Sequence, residues 1–288
     1  MFDMIKVSAI ITTHNRLPSL KRAVKSVLNQ TYKNIELIVV DDHSTDRTIE
    51  WCLENNITVF QSPYKGGNVA RNVGIKHACG DYVAFLDDDD YWHQDKIEKQ
   101  VNIANSSRCD VIYCGIRKAI KYHNRLEYID VYPKNINKGD VSHRIVQEIF
   151  TVTSALMIRR NLLYDVGLFD ETLDFWQEYE LCIRLAQRSY FDASDEILVD
   201  YLVDKSDKNR VTNKFYNWGK TVKLIHNKHR GIYSSLSPIE KIWAKRVEIW
   251  DAISRCENAG LKIQKQKNLL KLKMSFITER FLTFITPQ

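Results

Sequence analysis

The chain has 288 residues, of which 44% are hydrophobic, 27% charged and 11% aromatic, with only 10 Gly and 5 Pro. This is the composition of a globular chain of one or two domains, and it excludes collagen-like and disordered polymers. The formal net charge of +6 conceals an asymmetry: residues 213–288 hold 15 Lys/Arg against 5 Asp/Glu, so the preceding stretch is mildly acidic.

No apolar run approaches the roughly 18 residues of a transmembrane helix. Met1-Phe2-Asp3-Met4 has no basic segment leading into an apolar stretch, so no secretory signal is expected. The six cysteines form no Cys-x-x-Cys pair, which leaves zinc, redox and disulfide frameworks without support. The chain reads as cytoplasmic, with reduced thiols.

In chain order, Lys6–Thr12 reads as a buried strand rich in β-branched residues. Leu17–Leu28 has helical spacing at Leu20, Val24, Val27 and Leu28. Ile35–Val40 is a second buried strand. Thr45–Glu54 suits a short helix capped by Ser44 or Thr45. Ile57–Phe60 is a short strand, Asn68–Ala78 a helix and Tyr82–Leu86 a strand. This strand–helix alternation, with nearly continuous apolar strands, predicts an α/β sheet, mostly parallel and covered on both faces. Further on, His93–Ala104 reads as a helix and Val111–Cys114 as a strand. Residues 117–140 read as hairpin or loop. Ser154–Ile158 is a strand, Gln177–Gln187 a helix and Ile197–Tyr201 a last strand. From about residue 213 the pattern is helical and basic, with a break near 205–215. No internal repeat or low-complexity tract is visible.

Ligands of parallel α/β sheets bind beyond the C-terminal strand ends. Those ends are chemically unusual here: Thr12-Thr13-His14-Asn15-Arg16, then Asp41-Asp42-His43-Ser44, then Asp87-Asp88-Asp89-Asp90. Four adjacent aspartates repel one another unless a cation sits among them, and hard divalent ions take such oxygens. The competing reading is a solvated acidic turn. Asp41 and Asp42 exceed what capping needs, and one of them suits a nucleobase N–H or a ribose hydroxyl. Arg71, in Gly66-Gly67-Asn68-Val69-Ala70-Arg71-Asn72, pairs either with a phosphate or with the acidic edge. The Gly-Gly pair fits neither the dinucleotide fingerprint nor the P-loop.

Together these segments resemble the family 2 glycosyltransferases, whose fold is called GT-A. The matching strings are SAIITTHNR, SVLNQTYKNIELIVVDDHSTDRT, GGNVARNVGIKHACGDYVAFLDDDDYWHQDKIEKQ, TSALMIRRNLLYDVGLFDE and QEYELCIRL, in order across residues 7–190. The resemblance implies a GT-A domain over 1–212, with a donor-binding half of about 1–115 and an acceptor-binding half of about 116–212. Residues 213–288 form a helical basic extension.

It implies inverting transfer of a hexosyl or N-acetylhexosaminyl group from a nucleotide-diphosphate sugar, UDP by family habit, to a glycan acceptor hydroxyl. The setting is bacterial surface polysaccharide synthesis, such as capsule or cell wall. A divalent Mn²⁺ or Mg²⁺ assists, and lipid-linked acceptors at the inner face of the membrane are common among relatives.

Position by position, the resemblance implies that Thr12, Thr13, Asn15 and Arg16 line the nucleobase pocket, mostly through backbone. Asp41 or Asp42 contacts the base, and Arg71 steadies that site. Asp87 faces the ribose or donor and shares the metal with Asp89, while Asp88 between them lies on the donor-nucleotide side. Asp90 and Gln177 contact the donor sugar or acceptor. Apart from the resemblance, Trp176 suits stacking on a sugar ring or, as such aromatics more often do, packing in the core. Glu178 is the general base, although by itself it reads as an ordinary first-turn helix residue.

Two departures matter. Gln177-Glu178 stands where the family commonly has Glu-Asp. The segment Val199–Lys205 lacks the His that many members carry there, leaving Asp204 or Lys205 to substitute. Both departures favour the alternative of a non-catalytic nucleotide-sugar-binding relative with a regulatory or scaffolding role.

In the tail, Ile263, Leu270, Met274, Ile277, Phe281 and Phe284 recur at helical spacing, flanked by Lys262, Lys265, Lys267, Lys271, Lys273 and Arg280. Such a helix suits an anionic membrane surface or else packing and self-association. Nucleic acid is not expected, since no known module is visible.

Overall fold

The computed structural model describes residues 4–107, 109–122, 125–205, 215–258 and 260–285. It divides into two units. The first holds residues up to Val141 together with Thr151–Thr172 and Gln177–Asp204. The second holds Ser142–Phe150, Leu173–Trp176 and the chain from Lys205 onward. The helical extension therefore draws two short segments from within the stretch expected to be one continuous domain.

The first unit is built on a nine-stranded mixed sheet. Its strands are β1 (Val7–Thr13), β2 (Ile35–Asp41), β3 (Thr58–Gln61), β4 (Tyr82–Asp87), β5 (Tyr91–Trp92), β6 (Val111–Lys121), β7 (Leu126–Val131), β8 (Met157–Arg159) and β9 (Phe191–Asp204). The order is β3-β2-β1-β4-β8-β6-β9-β5, with β7 paired to β6. β1 to β4 are mutually parallel where they pair, whereas β8 is antiparallel to both β4 and β6.

The sheet is parallel among β1 to β4, where helices cross over as the alternation predicts, and antiparallel in the β6–β7 hairpin and along β8. Residues 117–140 contain the β6–β7 hairpin, and β9 is far longer than the five residues expected. The region expected as one strand at Ser154–Ile158 is a 3-10 turn, Thr153–Ala155, followed by the short β8.

Helices α1 (Leu17–Leu28), α2 (Thr48–Glu54), α3 (Gly67–His77), α4 (Lys96–Ser107), α5 (Arg160–Asp165) and α6 (Gln177–Ala186) cover the sheet. The α1 stripe of Leu20, Ala23, Val24 and Val27 is buried in the main core with Ile11, Val39 and Leu86. Each such large apolar side chain contributes about 1.5–3 kcal/mol when removed from water. Gly74 in α3 is dictated by close approach: a Cβ there would fall 2.5 Å from Ile10 Cγ2 of β1.

Helix α2 starts later than the sequence suggests. Its first-turn donor, Thr48 N–H, is taken by Asp46 Oδ1 at 3.1 Å, while Asp46 Oδ2 accepts from Leu17 N at 3.1 Å. Ser44 and Thr45 are instead engaged with Asn15, as described below.

Lys96 is the unusual member of this core, fully buried at the start of α4 with no carboxylate partner. Its ammonium lies 4.1 Å from the Trp92 ring centroid and donates to Gln100 Oε1 at 2.6 Å. Burial pushes its pKa down from 10.5 to about 8. Between those values the unfolded chain holds a proton that the folded chain lacks, so stability rises with pH across that window. Measured by urea unfolding, the wild type should gain about 2 kcal/mol on Lys96→Met between pH 7 and 9.5. A pH-independent difference would contradict this.

The second unit contains α7 (Phe215–Lys228), α8 (Arg230–Ser235), α9 (Pro238–Asn258) and α10 (Lys262–Ile285). The sequence Ser237-Pro238-Ile239-Glu240 starts α9 with a reciprocal cap: Ser237 N donates to Glu240 Oε2 at 2.8 Å and Glu240 N to Ser237 Oγ at 3.3 Å. Gly260, at φ +69°, closes the turn into α10. Ile249, Ile253, Leu269 and Leu272 pack between the two helices. Arg246 reaches Glu279 at 2.6 Å, which also accepts from Trp243 Nε1 at 2.7 Å. Among the described residues no helix is long and apolar enough to cross a membrane.

Candidate active site

Sheet register assembles the site. β1 pairs with β2 so that Thr13 lies beside Asp41, and with β4 so that Thr12 lies beside Asp87. Neighbouring strands are about 4.8 Å apart, so three segments distant in sequence end on one edge. Past that edge the chain is locked by polar side chains. Asn15, at φ +53°, donates its N–H to Ser44 Oγ at 2.8 Å, and its Oδ1 accepts from Thr45 N at 2.6 Å.

The two acids after β2 have different surroundings. Asp41 is fully buried; its Oδ2 accepts from Ser44 N at 3.0 Å, and its Oδ1 has no hydrogen-bond partner. Asp42 is half-buried and accepts from Ser62 Oγ and Gly66 N, each at 2.9 Å. Asp42 thereby holds the glycine loop that opens α3.

The four aspartates after β4 alternate in environment. Asp88 and Asp90 are buried, whereas Asp87 and Asp89 face outward with side-chain exposures of 30% and 23%. Asp88 accepts from Thr13 Oγ1 at 2.7 Å and from Arg16 at 3.1 Å. Burial pushes its pKa up to about 6, Arg16 opposes this, and Asp89 adds to it. Arg16 also reaches Asp89 at 3.1 Å. Arg71 donates to Asp87 Oδ1 at 2.7 Å from beside the Phe169 ring. Burial disfavours the Arg71 charge, but Asp87, Glu178 and Asp88 together outweigh it and raise its pKa.

Two residues expected at the sugar have close packing partners in this structure. Asp90 is only 2% exposed; one carboxylate oxygen accepts from Leu202 N at 2.9 Å and the other from Ser154 Oγ. It ties β4 to β9, and its pKa is driven well up, first by burial and then by Asp89 and Asp87. Trp176 is 7% exposed within the second unit, its ring edge-on to Trp218 at 5.8 Å.

Gln177 and Glu178 open α6 and are half-buried. Glu178 lies in the first turn, where the helix dipole favours a negative charge, and within electrostatic range of Arg71. The carboxylate from the late helix therefore acts on Arg71 through space, whereas Asp87 pairs with it directly. Two residues further on, Glu180 is fully buried in a bidentate pair with Arg184.

After β9, Asp204 pairs with Lys121 at 2.9 Å. His93 Nε2 lies 3.3 Å from Asp200 Oδ1. Sequence reasoning missed Ser154, which donates to Asp90 and accepts from Asp87 N at 3.0 Å. It also missed Asn68 and Asn72, whose amides hold the backbone of Asp170 and Phe169. A lone serine in an apolar run carries no signal of this, whereas the Asn68-x-x-x-Asn72 spacing on one helix face is legible in retrospect.

No three acidic, His or Cys side chains among the described residues form a ready metal cage. The donor set still fits a hard divalent cation, because Mg²⁺ commonly takes one or two carboxylates and completes its shell with substrate phosphates and water. Asp87 and Asp89 are the outward-facing pair; their charges add to the effect of burial in raising the pKa of Asp90, as the charge of Asp89 does for Asp88.

Comparison with known proteins agrees with this layout. The family description Glycosyl transferase family 2 matches residues 8–167. An uncharacterized glycosyltransferase of Rickettsia typhi is 34% identical over 218 residues, covering 72% of this chain and 67% of that protein. The UDP-Glc:alpha-D-GlcNAc-diphosphoundecaprenol beta-1,3-glucosyltransferase WfaP of Escherichia coli is 42% identical over 106 residues, covering 35% of this chain and 42% of that protein.

Several relatives are much longer: the match to a Rickettsia conorii glycosyltransferase spans 32% of its length. The solved structure of S. aureus TarS 1-349 superposes with a TM-score of 0.57 at 18% identity, covering 95% of this chain and 92% of that one. Mannosyltransferase PcManGT from Pyrobaculum calidifontis superposes at 0.58 with 15% identity, covering 97% and 84%. The fold is GT-A, and the chain belongs to glycosyl transferase family 2.

Proposed function

We propose that this protein is an inverting glycosyltransferase that moves a sugar from a nucleotide-diphosphate sugar, UDP-linked in the first instance, to a glycan acceptor hydroxyl during bacterial surface polysaccharide synthesis. The observation carrying this reading is the strand-edge cluster in which Arg71 pairs with Asp87 and Arg16 with Asp88 and Asp89, with Glu178 within electrostatic range of Arg71. TarS was solved with UDP and with UDP-GlcNAc, and PcManGT with GDP-Man and Mn²⁺, which supports a nucleotide-sugar donor and a divalent metal. WfaP is named for a diphosphoundecaprenol-linked acceptor and AmsB of Erwinia amylovora for amylovoran biosynthesis, which supports a glycan acceptor, lipid-linked as in WfaP.

In this mechanism the Glu178 carboxylate takes the acceptor hydroxyl proton as that oxygen attacks the anomeric carbon. The anomeric C–O bond to the diphosphate breaks, and its electron pair leaves on the phosphate oxygen. A single displacement with one base inverts the anomeric centre. Thr12, Thr13, Asn15, Asp41 and Asp42 shape the nucleotide end, with the unpartnered Asp41 Oδ1 an acceptor held ready at the strand edge. Arg16 and Arg71 hold Asp87, Asp88 and Asp89 in place. Asp87 and Asp89 would hold the divalent cation, whose charge, when bound, stabilises the departing diphosphate.

The first test is thermal stabilisation by a panel of nucleotides and nucleotide sugars, with and without Mn²⁺ or Mg²⁺. A metal-dependent rise is expected for one nucleoside diphosphate sugar, because a ligand that binds only the folded state raises its stability. A folded protein that responds to none of them would remove the reading. Donor binding without turnover would favour a regulatory relative, the role that Gln177 in place of an acid suggests.

A further inference from the structure

We propose that the outward face of α10 docks on an anionic lipid bilayer. The helix spans Lys262–Ile285, about 36 Å long at 1.5 Å per residue. Asn268, Leu269, Leu272 and Ser275 face α9, where Arg246 reaches Ser275 Oγ at 3.0 Å. On the opposite side Ile263, Leu270, Met274 and Ile277 are between 53% and 77% exposed. At 100° per residue these four fall within about 60° of arc. They form an apolar stripe that no described residue of the second unit covers. The side chains of Phe281 and Phe284, expected to extend it, lie outside the described residues.

Charge identifies the occupant. Lys262 and Lys273 flank the stripe on one side and Lys267 and Lys271 on the other, all exposed and without ion pairs among the described residues. The only acid of α10, Glu279, is turned inward to Arg246 and Trp243 of α9. The outward face therefore presents apolar side chains between two cationic rims with no compensating carboxylate. A second copy would bring lysine against lysine. An anionic bilayer accepts the stripe among its acyl chains and the rims among its headgroups.

The inference is independent of the proposed transferase activity and has its own readout, flotation of the full chain with vesicles. Binding is expected to vesicles of mixed phosphatidylcholine and phosphatidylglycerol, not to phosphatidylcholine alone, and about 0.5 M salt should weaken it. The triple variant Lys267→Glu, Lys271→Glu, Lys273→Glu should lower partitioning at least tenfold. Leu270→Ser with Ile277→Ser should do the same with the melting temperature unchanged, since these side chains are exposed. Failure to bind mixed vesicles, or equal binding to neutral ones, would overturn the proposal. So would a concentration-dependent dimer, abolished by Leu270→Ser with Ile277→Ser, in a chain that ignores vesicles.

Discussion

Glu178→Gln should lose between about a hundredfold and ten-thousandfold in sugar transfer, the range that a positioned general base contributes. Donor binding should persist, because the substitution keeps the shape and leaves Asp87, Asp89 and both arginines in place. Single-turnover transfer measures the first quantity and nucleotide-sugar thermal shift the second. Glu178→Asp should recover part of the rate, since Asp is the common family residue and Gln177 beside it carries no proton-accepting charge. Wild-type turnover in Glu178→Gln would sink the assignment and move the base elsewhere. The pairing of readouts matters because Glu178 also contributes to the field at Arg71. If the residue served only to steady Arg71, donor binding and turnover would fall together.

Asp89→Ala should act at an earlier step. Metal-stimulated donor affinity is expected to drop at least about a hundredfold, with turnover lost at ordinary donor concentrations, because a carboxylate on the metal and diphosphate side is removed. Titration of the donor with and without Mn²⁺ would show the difference between the two conditions collapsing. The fold should survive, since Asp89 is partly exposed and Arg16 keeps its contact with Asp88. Removing the neighbouring charge should also let Asp88 ionise at lower pH, since Asp89 is one of the causes that raise its pKa. An Asp89→Ala enzyme that keeps full metal-dependent donor binding would place the cation on other ligands. The contrast with Glu178→Gln separates binding from chemistry.

These two residues show how unevenly the site is written in the chain. The run Asp87–Asp90 is conspicuous in sequence, yet its members are not equivalent. The backbone turn after β4 sends Asp88 and Asp90 inward and leaves Asp87 and Asp89 outward. The outward pair coincides with the family's spaced aspartates, whereas the inward pair serves Thr13, Arg16, Ser154 and Leu202. Asp90 shows that adjacency in sequence says nothing of direction, since its carboxylate is turned to Ser154 and Leu202. Trp176 stacks edge-on to Trp218, 42 positions away in the chain, a contact that no local pattern announces.

Local patterns determined the early elements by themselves. The β-branched runs of β1, β2 and β4, the α1 stripe and the strand-end acids are read from nearest-neighbour periodicity, because each buries one face or both. The basic amphipathic tail was legible for the same reason. Only tertiary structure decided which carboxylates pair with Arg16 and Arg71, that Ser154 holds Asp90, that β8 reverses the sheet, and that segments 142–150 and 173–176 join the helical unit. Those outcomes depend on register and on contacts between residues tens of positions apart. The free energy of such a contact belongs to the pair and its burial, and no single stretch of sequence carries it.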